Sequence, residues 1–235
     1  KICGPGNMFV SIAKRVVYGQ VDIDGLYGPT ETIVIADDSA DPELAAADLL
    51  AQAEHDELAS PMLITTGLDV AERIASEVER QISTLNRGKI ARAAVDAQGA
   101  VVVVDTIAEA IELANAYAPE HLCLLVRDAA SFTGLVRNAG GIFVGEHSPE
   151  VIGDYVAGPS HVMPTGGTAR FTSSLGVQAF LRHIPVITLD SETLNQVGPA
   201  AAAIARAEGL TGHAHAIELR LEGSGVDKDF FSEAR

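Results

Sequence analysis

Gln52 and His55 stand three residues apart in the run AQAEHD, residues 51–56. On a helix that spacing puts both on one face. An amide oxygen beside an imidazole makes a metal-ligand pair, although an imidazolium at a helix C-terminus also complements the helix dipole. Glu120 and His121 are adjacent in APEHL, residues 118–122, where Pro119 ends one element and a strand follows. Imidazole titrates near neutrality and a neighbouring carboxylate tunes it or orients water, so this pair suits acid/base work. A surface pair without a role is the plainer alternative. The stretch GDYVAGPSHVMPTGGTARF, residues 153–171, adds Asp154, His161, Arg170 and backbone N–H groups around Thr165–Thr168. In EGLTGHAHAI, residues 208–217, Glu208 ends a helix, Gly209 caps it, and His213 and His215 follow. Gln, His, Asp and a further His would supply four N/O donors, a set that suits zinc better than a soft metal.

The elements that must position these groups alternate. A Gly-Pro-Gly-Asn turn at 4–7 leads into a helix reaching about Val17. Ile33–Ala36 reads as a strand, and Asp41 or Pro42 opens a helix to about His55. Met62–Thr65 is the next strand. Leu68–Leu85 is an amphipathic helix with Val70, Ile74, Val78 and Ile82 at four-residue spacing. The apolar run Val101–Val104 predicts a strand buried on both faces. Thr106 caps a helix from Ile107 to Tyr117, with Glu109 at the capping-box position. Leu122–Val126 is a strand, Ala129–Asn138 a helix and Gly141–Val144 a strand. This pattern predicts an α/β layered domain with a mostly parallel sheet and flanking helices. Residues 145–175, rich in Gly, Pro, Ser and Thr, form a long loop of the functional kind, with Val162 and Met163 partly packed. The Ala-rich stretch from Glu192 to Leu221 predicts a helical tail, and Glu222–Arg235 a polar, frayed end.

Composition narrows the partners. In 235 residues, 32 acidic side chains oppose 16 basic ones, a formal net charge of −16. Such a surface repels phosphate backbones and anionic lipid, so no nucleic acid and no membrane surface is expected. With 47% hydrophobic residues the chain can bury a core. Cys3 and Cys123 are too few for a Cys-rich zinc cage or a disulfide framework, which fits a reducing cytoplasm. No apolar run approaches the ~20 residues of a bilayer span. No signal peptide is legible. The opening KICGPGN lacks a starting Met, so the chain is expected to begin inside a longer, processed or truncated gene product.

Taken in order, GPGN with AKR, GPTE, DLLAQAEHD, APEHL, NAGGIFVG, GDYVAGPSHVMPTGGTARF and EGLTGHA resemble histidinol dehydrogenase over residues 1–221. The resemblance implies NAD-dependent oxidation of L-histidinol to L-histidine in two steps through an aldehyde, with Zn2+ holding the substrate. By motif, Gln52, His55 and Asp154 match metal ligands, and His213 matches the ligand contributed by the partner subunit of a homodimer. Glu120 and His121 match the catalytic pair: His121 takes the alcohol proton and Glu120 helps activate water. Asn7 matches a nicotinamide contact. Thr30, His161 and Glu208, together with His121 and the four ligands, match positions that line the substrate.

The same resemblance implies an incomplete Rossmann-like, aldehyde-dehydrogenase-like sheet. Residues 1–27 would end a cofactor-binding domain, 28–175 would form the second half of the catalytic zinc domain, and 176–235 a helical dimerisation tail. Family members carry further cofactor contacts upstream of the matched region. Three positions depart from the family pattern: Thr30 stands where Ser is usual, Ser160 where Asn is common and His215 where Arg is common. A paralogue oxidising another small diol or amino alcohol, such as a sulfonated propanediol, and a non-catalytic zinc-binding fragment are the competing readings.

Overall fold

The computed structural model describes residues 1–4 and 7–222. Pro5 and Gly6 of the expected N-terminal turn, and 223–235 of the expected polar end, lie outside the described residues. The chain divides into two compact units, 1–181 and 182–235.

The first unit holds strands β1 (Glu31–Ala36), β2 (Ser60–Thr65), β3 (Ala100–Val103), β4 (His121–Leu125) and β5 (Gly141–Val144). They pair in parallel in the order β3-β2-β1-β4-β5. Helices α1 (Met8–Val17), α2 (Pro42–Ala53), α3 (Leu68–Ile82), α4 (Gly88–Gln98), α5 (Ile107–Tyr117), α6 (Ala129–Phe132) and α7 (Val151–Tyr155) accompany them. This is the layered, mostly parallel α/β architecture the strand-helix alternation predicts.

The two-residue alternation of strands sorts the core into two faces. Val34, Ala36, Leu63, Cys123 and Leu125 pack with α2, α3 and α4 on one face. Ile33, Ile35, Ile64, Leu122 and Leu124 pack with α5 and α6 on the other. The amphipathic spacing of α3 works as expected, because Val70, Ile74, Val78 and Ile82 are all buried. The starts of α2 and α5 are also where their caps predict. Asp41 accepts from the Glu43 N–H at 2.9 Å with Pro42 in the first turn. Thr106 accepts from the Glu109 N–H at 3.1 Å, while Glu109 reaches back to the N–H of Asp105, one residue before the cap.

Several boundaries differ from expectation, each for a local reason. The run Val101–Val104, expected to be buried on both faces, supplies β3 as the outermost strand, paired only with β2. Val101, Val102 and Val103 are consequently exposed, and only Val104 is buried. The helix expected to reach Leu85 stops at Ile82, where the Ser83 and Thr84 hydroxyls bond back to the carbonyls of Arg80 and Gln81. The separate helix α4 follows, unpredicted by the sequence pattern and without a side-chain cap. The helix expected over 129–138 shrinks to α6 and one 3-10 turn, because the Asn115 side chain takes the N–H groups of Arg137 and Asn138. The expected loop 145–175 contains α7 and a 3-10 turn at Thr168–Arg170.

The second unit is a helix pair, α8 (Ser191–Ala207) and α9 (Thr211–Glu222). The predicted helical stretch breaks at Gly209, whose φ of +75° is left-handed. Arg206 and Glu218 join the two helices through paired bonds of 2.8 Å. Gly198 faces Leu221 so closely that a Cβ there would meet the leucine at 3.0 Å.

Gly140 makes a tight approach in the first unit. A Cβ on it would lie 2.6 Å from the Glu120 carbonyl oxygen and 3.0 Å from Met163. The carbonyl is held by the Gly141 N–H at 2.9 Å and cannot retreat. We expect Gly140→Ala to destabilise the chain by about 1–3 kcal/mol, read as a lower urea midpoint with an unchanged slope.

Candidate active site

In a parallel sheet every connection must carry the chain back from the carboxyl edge to the amino edge. Helix α2 follows β1 and precedes β2, so its last turn, with Gln52, arrives at the amino edge. Helix α5 likewise delivers Ala118, in the left-handed region at φ 62°, then Pro119 and Glu120, at the start of β4. Thr30 immediately precedes β1. The segment after β5 returns through Glu150 to α7, which carries Asp154. Four segments thus meet at the amino edge of β1 and β4. Doubly wound sheets usually bind ligands at the opposite, carboxyl edge.

The contacts are close. The Thr30 hydroxyl lies 2.7 Å from Glu120 Oε2 and 2.8 Å from Gln52 Oε1. The Glu31 N–H donates to the same Glu120 oxygen at 3.3 Å. His121 Nδ1 is 3.7 Å from Glu120 Oε2, and its Nε2 is 4.0 Å from Asp154 Oδ1. Pairing of Thr32 with His121 and of His121 with Gly141 seats the imidazole between β1 and β5. The ring of Phe143 stacks on it, centroids 5.7 Å apart. Gly153 on α7 presses on Phe143, since a Cβ there would meet the ring at 2.9 Å. Both His121 nitrogens are buried without a hydrogen bond among the described residues.

Burial sets the electrostatics. It pushes the Glu120 carboxyl up to about 7; the Thr30 and Glu31 hydrogen bonds oppose this, and the charges of Glu31 and Asp154 add to it. It lowers the His121 imidazole below its ordinary value, with Asp154 opposing. Behind the pair, burial raises Asp48 to about 6 and Glu150 to about 8, the latter helped by the Asp48 charge. Thr30 has one proton and two acceptors within reach. A protonated Glu120 removes the conflict by donating to Thr30, which then donates to Gln52.

The expected site residues fall into three groups. Thr30, Gln52, Glu120, His121 and Asp154 converge. His55, exposed at the end of α2, is near enough for its charge to lower the His121 imidazole. His161 is exposed in the long loop, two residues before buried Met163. Asn7 caps α1, its side-chain oxygen accepting from the Phe9 and Val10 N–H groups at 3.0 and 3.3 Å. Glu208 and His213 belong to the second unit, Glu208 as the C-cap of α8 and His213 in the first turn of α9, both exposed. Among the described residues, His, Cys, Asp and Glu alone form no cluster of three fit for a metal. The N/O chemistry of Gln52, His55 and Asp154, with a buried amide beside the carboxylates, fits a borderline divalent ion.

Sequence reading missed Thr32, Asp48, Phe143 and Glu150, which line the site from behind. Thr32 and Phe143 look like ordinary strand residues. Glu150 in HSPEVIGDY looks like a solvated acid opening a helix, yet it is fully buried.

A sequence model of the family described as histidinol dehydrogenase matches residues 1–221. Histidinol dehydrogenase of Deinococcus radiodurans is 57% identical over 225 residues, covering 94% of this chain and 51% of that protein. The crystal structure of histidinol dehydrogenase from Elizabethkingia anophelis superposes with a TM-score of 0.91 at 38% identity, over 94% of this chain and 51% of that one. An acetylating aldehyde dehydrogenase from Geobacillus thermoglucosidasius shares the fold alone, with a TM-score of 0.51 at 15% identity over 80% of this chain and 57% of that one. The chain spans about half the length of the relatives it matches.

The raised acids have a consequence for stability. Asp48, Glu120 and Glu150 hold their protons more tightly folded than unfolded, so the folded state binds more protons between their ordinary range and about 8. Stability from these groups is complete below the ordinary carboxylate range and falls as pH rises through 6, 7 and 8. We expect the thermal midpoint of the metal-free chain to rise on acidification from pH 8 to about 5.5. Scanning calorimetry across that window checks it.

Proposed function

The chain belongs to the histidinol dehydrogenase family, and on that footing we propose that it carries the acid/base pair and most of the metal ligands of a zinc-dependent, NAD-linked oxidation of L-histidinol to L-histidine through the aldehyde. The observation that carries this reading is the convergence of Thr30, Gln52, Glu120, His121 and Asp154 at one sheet edge.

Loss of hydride from a carbinol carbon requires a base that takes the hydroxyl proton. His121 suits this. Burial lowers its imidazole, which favours the neutral form, and neither ring nitrogen is hydrogen-bonded among the described residues. Phe143 stacking fixes the ring plane. The second oxidation needs water delivered to the aldehyde. Glu120, titrating near 7, can take a proton from that water near neutral pH. Thr30 and the Glu31 N–H hold the carboxyl in place.

In this reading Gln52, His55 and Asp154 hold Zn2+ together with His213 of a second copy in a homodimer. His161 and Glu208 face the substrate, and Asn7 faces the nicotinamide. When bound, the ion would grip the imidazole and amine of the substrate and NAD would accept the hydride. The remaining cofactor contacts would come from the part of the protein that its relatives carry in addition. The location proposed is the cytoplasm, as for the family's amino-acid biosynthesis. No helix of the described residues is long and apolar enough to cross a membrane.

The test is NADH production by the intact gene product from histidinol and from a panel of small diols, with and without chelator. We expect chelator-sensitive turnover of histidinol. Turnover of a diol alone would move the assignment to another substrate. His121→Asn should lower kcat by roughly 10²–10⁴-fold with zinc content intact, and unchanged turnover would reject the base assignment. Separately, mixing Gln52→Ala and His213→Ala subunits should restore one working site per heterodimer. Absence of complementation would place the fourth ligand in the same subunit.

A further inference from the structure

Glu150 has no part in the acid/base or ligand assignments above, yet it is completely buried on the sheet face that carries His121. One of its oxygens, Oε2, is occupied: the Thr32 hydroxyl donates at 2.5 Å and the Cys123 thiol at 3.6 Å. Its other oxygen, Oε1, is buried without a hydrogen bond among the described residues, and so is the amide nitrogen of Gln52. An unpaired buried acceptor and an unpaired buried donor each carry a desolvation cost that pairing would remove. The Gln52 amide is close enough to pull the Glu150 carboxyl back toward its ordinary range, as a donor directed at it does. The far side of the same amide is fixed too, since Gln52 Oε1 lies against the Thr30 hydroxyl on the active-site side. Glu150 also opens the turn of α7, its carbonyl accepting from the Gly153 N–H at 2.9 Å, one residue before Asp154.

We propose that Glu150 is a positioning residue: its Oε1 receives the Gln52 N–H, which turns the Gln52 carbonyl oxygen toward the metal position, while its anchorage to Thr32 and Cys123 fixes the turn that presents Asp154. A side-chain amide has two ends of similar shape and opposite polarity. A flipped Gln52 would set its oxygen against a Glu150 oxygen and aim an N–H at the ion. The lone pairs of Oε1 disfavour that rotamer whether Oε2 is ionised or carries a proton toward the Thr32 hydroxyl, so Glu150 governs the affinity of the site without touching the ion. This inference rests on the reading of Gln52 and Asp154 as ligands.

The test measures zinc affinity of the intact gene product by competition with a chromophoric chelator, beside the thermal midpoint of the metal-free protein. Glu150→Met removes the acceptor at similar length. It should weaken zinc by roughly 10–100-fold, the usual cost of losing a group that orients a ligand. Glu150→Gln should keep nearly the parental affinity. Its single oxygen can accept from Gln52 while its NH2 turns to Thr32, whose hydroxyl then accepts. If the Met variant does not fold, Glu150→Asp withdraws the carboxylate by one methylene and should show the same loss. Parental affinity in the folded Met or Asp variant overturns the proposal, and so does a Gln variant as weak as either of them. Gln52→Ala, run in parallel, separates the two readings. If it weakens zinc while Glu150→Met does not, only the positioning role falls; if it leaves zinc binding unchanged, the ligand assignment falls and takes this inference with it.

Discussion

Parallel strands force every connection to travel back along a face of the sheet, and the site residues that converge sit where those journeys end. Helix α2 delivers Gln52 and His55 there, α5 delivers Glu120, and the segment behind β5 delivers Asp154. Their separation in sequence is therefore a product of topology. Gln52, His55 and Glu120 come from the last residues of a crossover, and Asp154 from the segment that follows β5. Strand register then does the fine placement, setting Thr32 beside His121 and His121 beside Gly141. The glycines at 140 and 141 let Met163 and Pro164 close against β4 and β5, which brings the long loop onto the site.

The second theme is the burial of acids. Glu31, Asp48, Glu120 and Glu150 all have their carboxyls raised by desolvation. Basic groups nearby are few. Arg170 eases Glu31, but its guanidinium is committed to the carbonyls of Ala116, Tyr117 and Gly167. Lys14 is bound to Asp24 at 2.6 Å in the N-terminal segment. Hydroxyls and backbone N–H groups do the compensating instead: Thr30 and the Glu31 N–H for Glu120, Thr32 for Glu150, the Gly166 N–H for Glu31. Neutral donors steady a carboxylate without cancelling its charge, so burial still raises Glu120 to about 7 and Glu150 to about 8.

Much of the fold was legible. All five strands and the starts of α2 and α5 lie where apolar runs and caps predict, because those signals are local. The exposed β3 shows the limit. A continuous apolar run has the same letters whether a strand lies at the centre of a sheet or at its edge, and only strand order distinguishes them. The unpredicted α4 carries neither cap nor strong apolar stripe beyond Ala91 and Ala94, so no local signal marks it.

By itself the sequence determined the alternation of elements, because helix and strand periods are properties of neighbours along the chain, and the resemblance of its motifs supplied the acid/base and ligand candidates. Tertiary structure alone decided that Glu120 and His121 stand beside Gln52, Thr30 and Asp154. It also decided that an unremarkable acid, Glu150, is buried behind them with Asp48. Burial and proximity across strands depend on which segments the sheet brings side by side, and no spacing within a single segment encodes that.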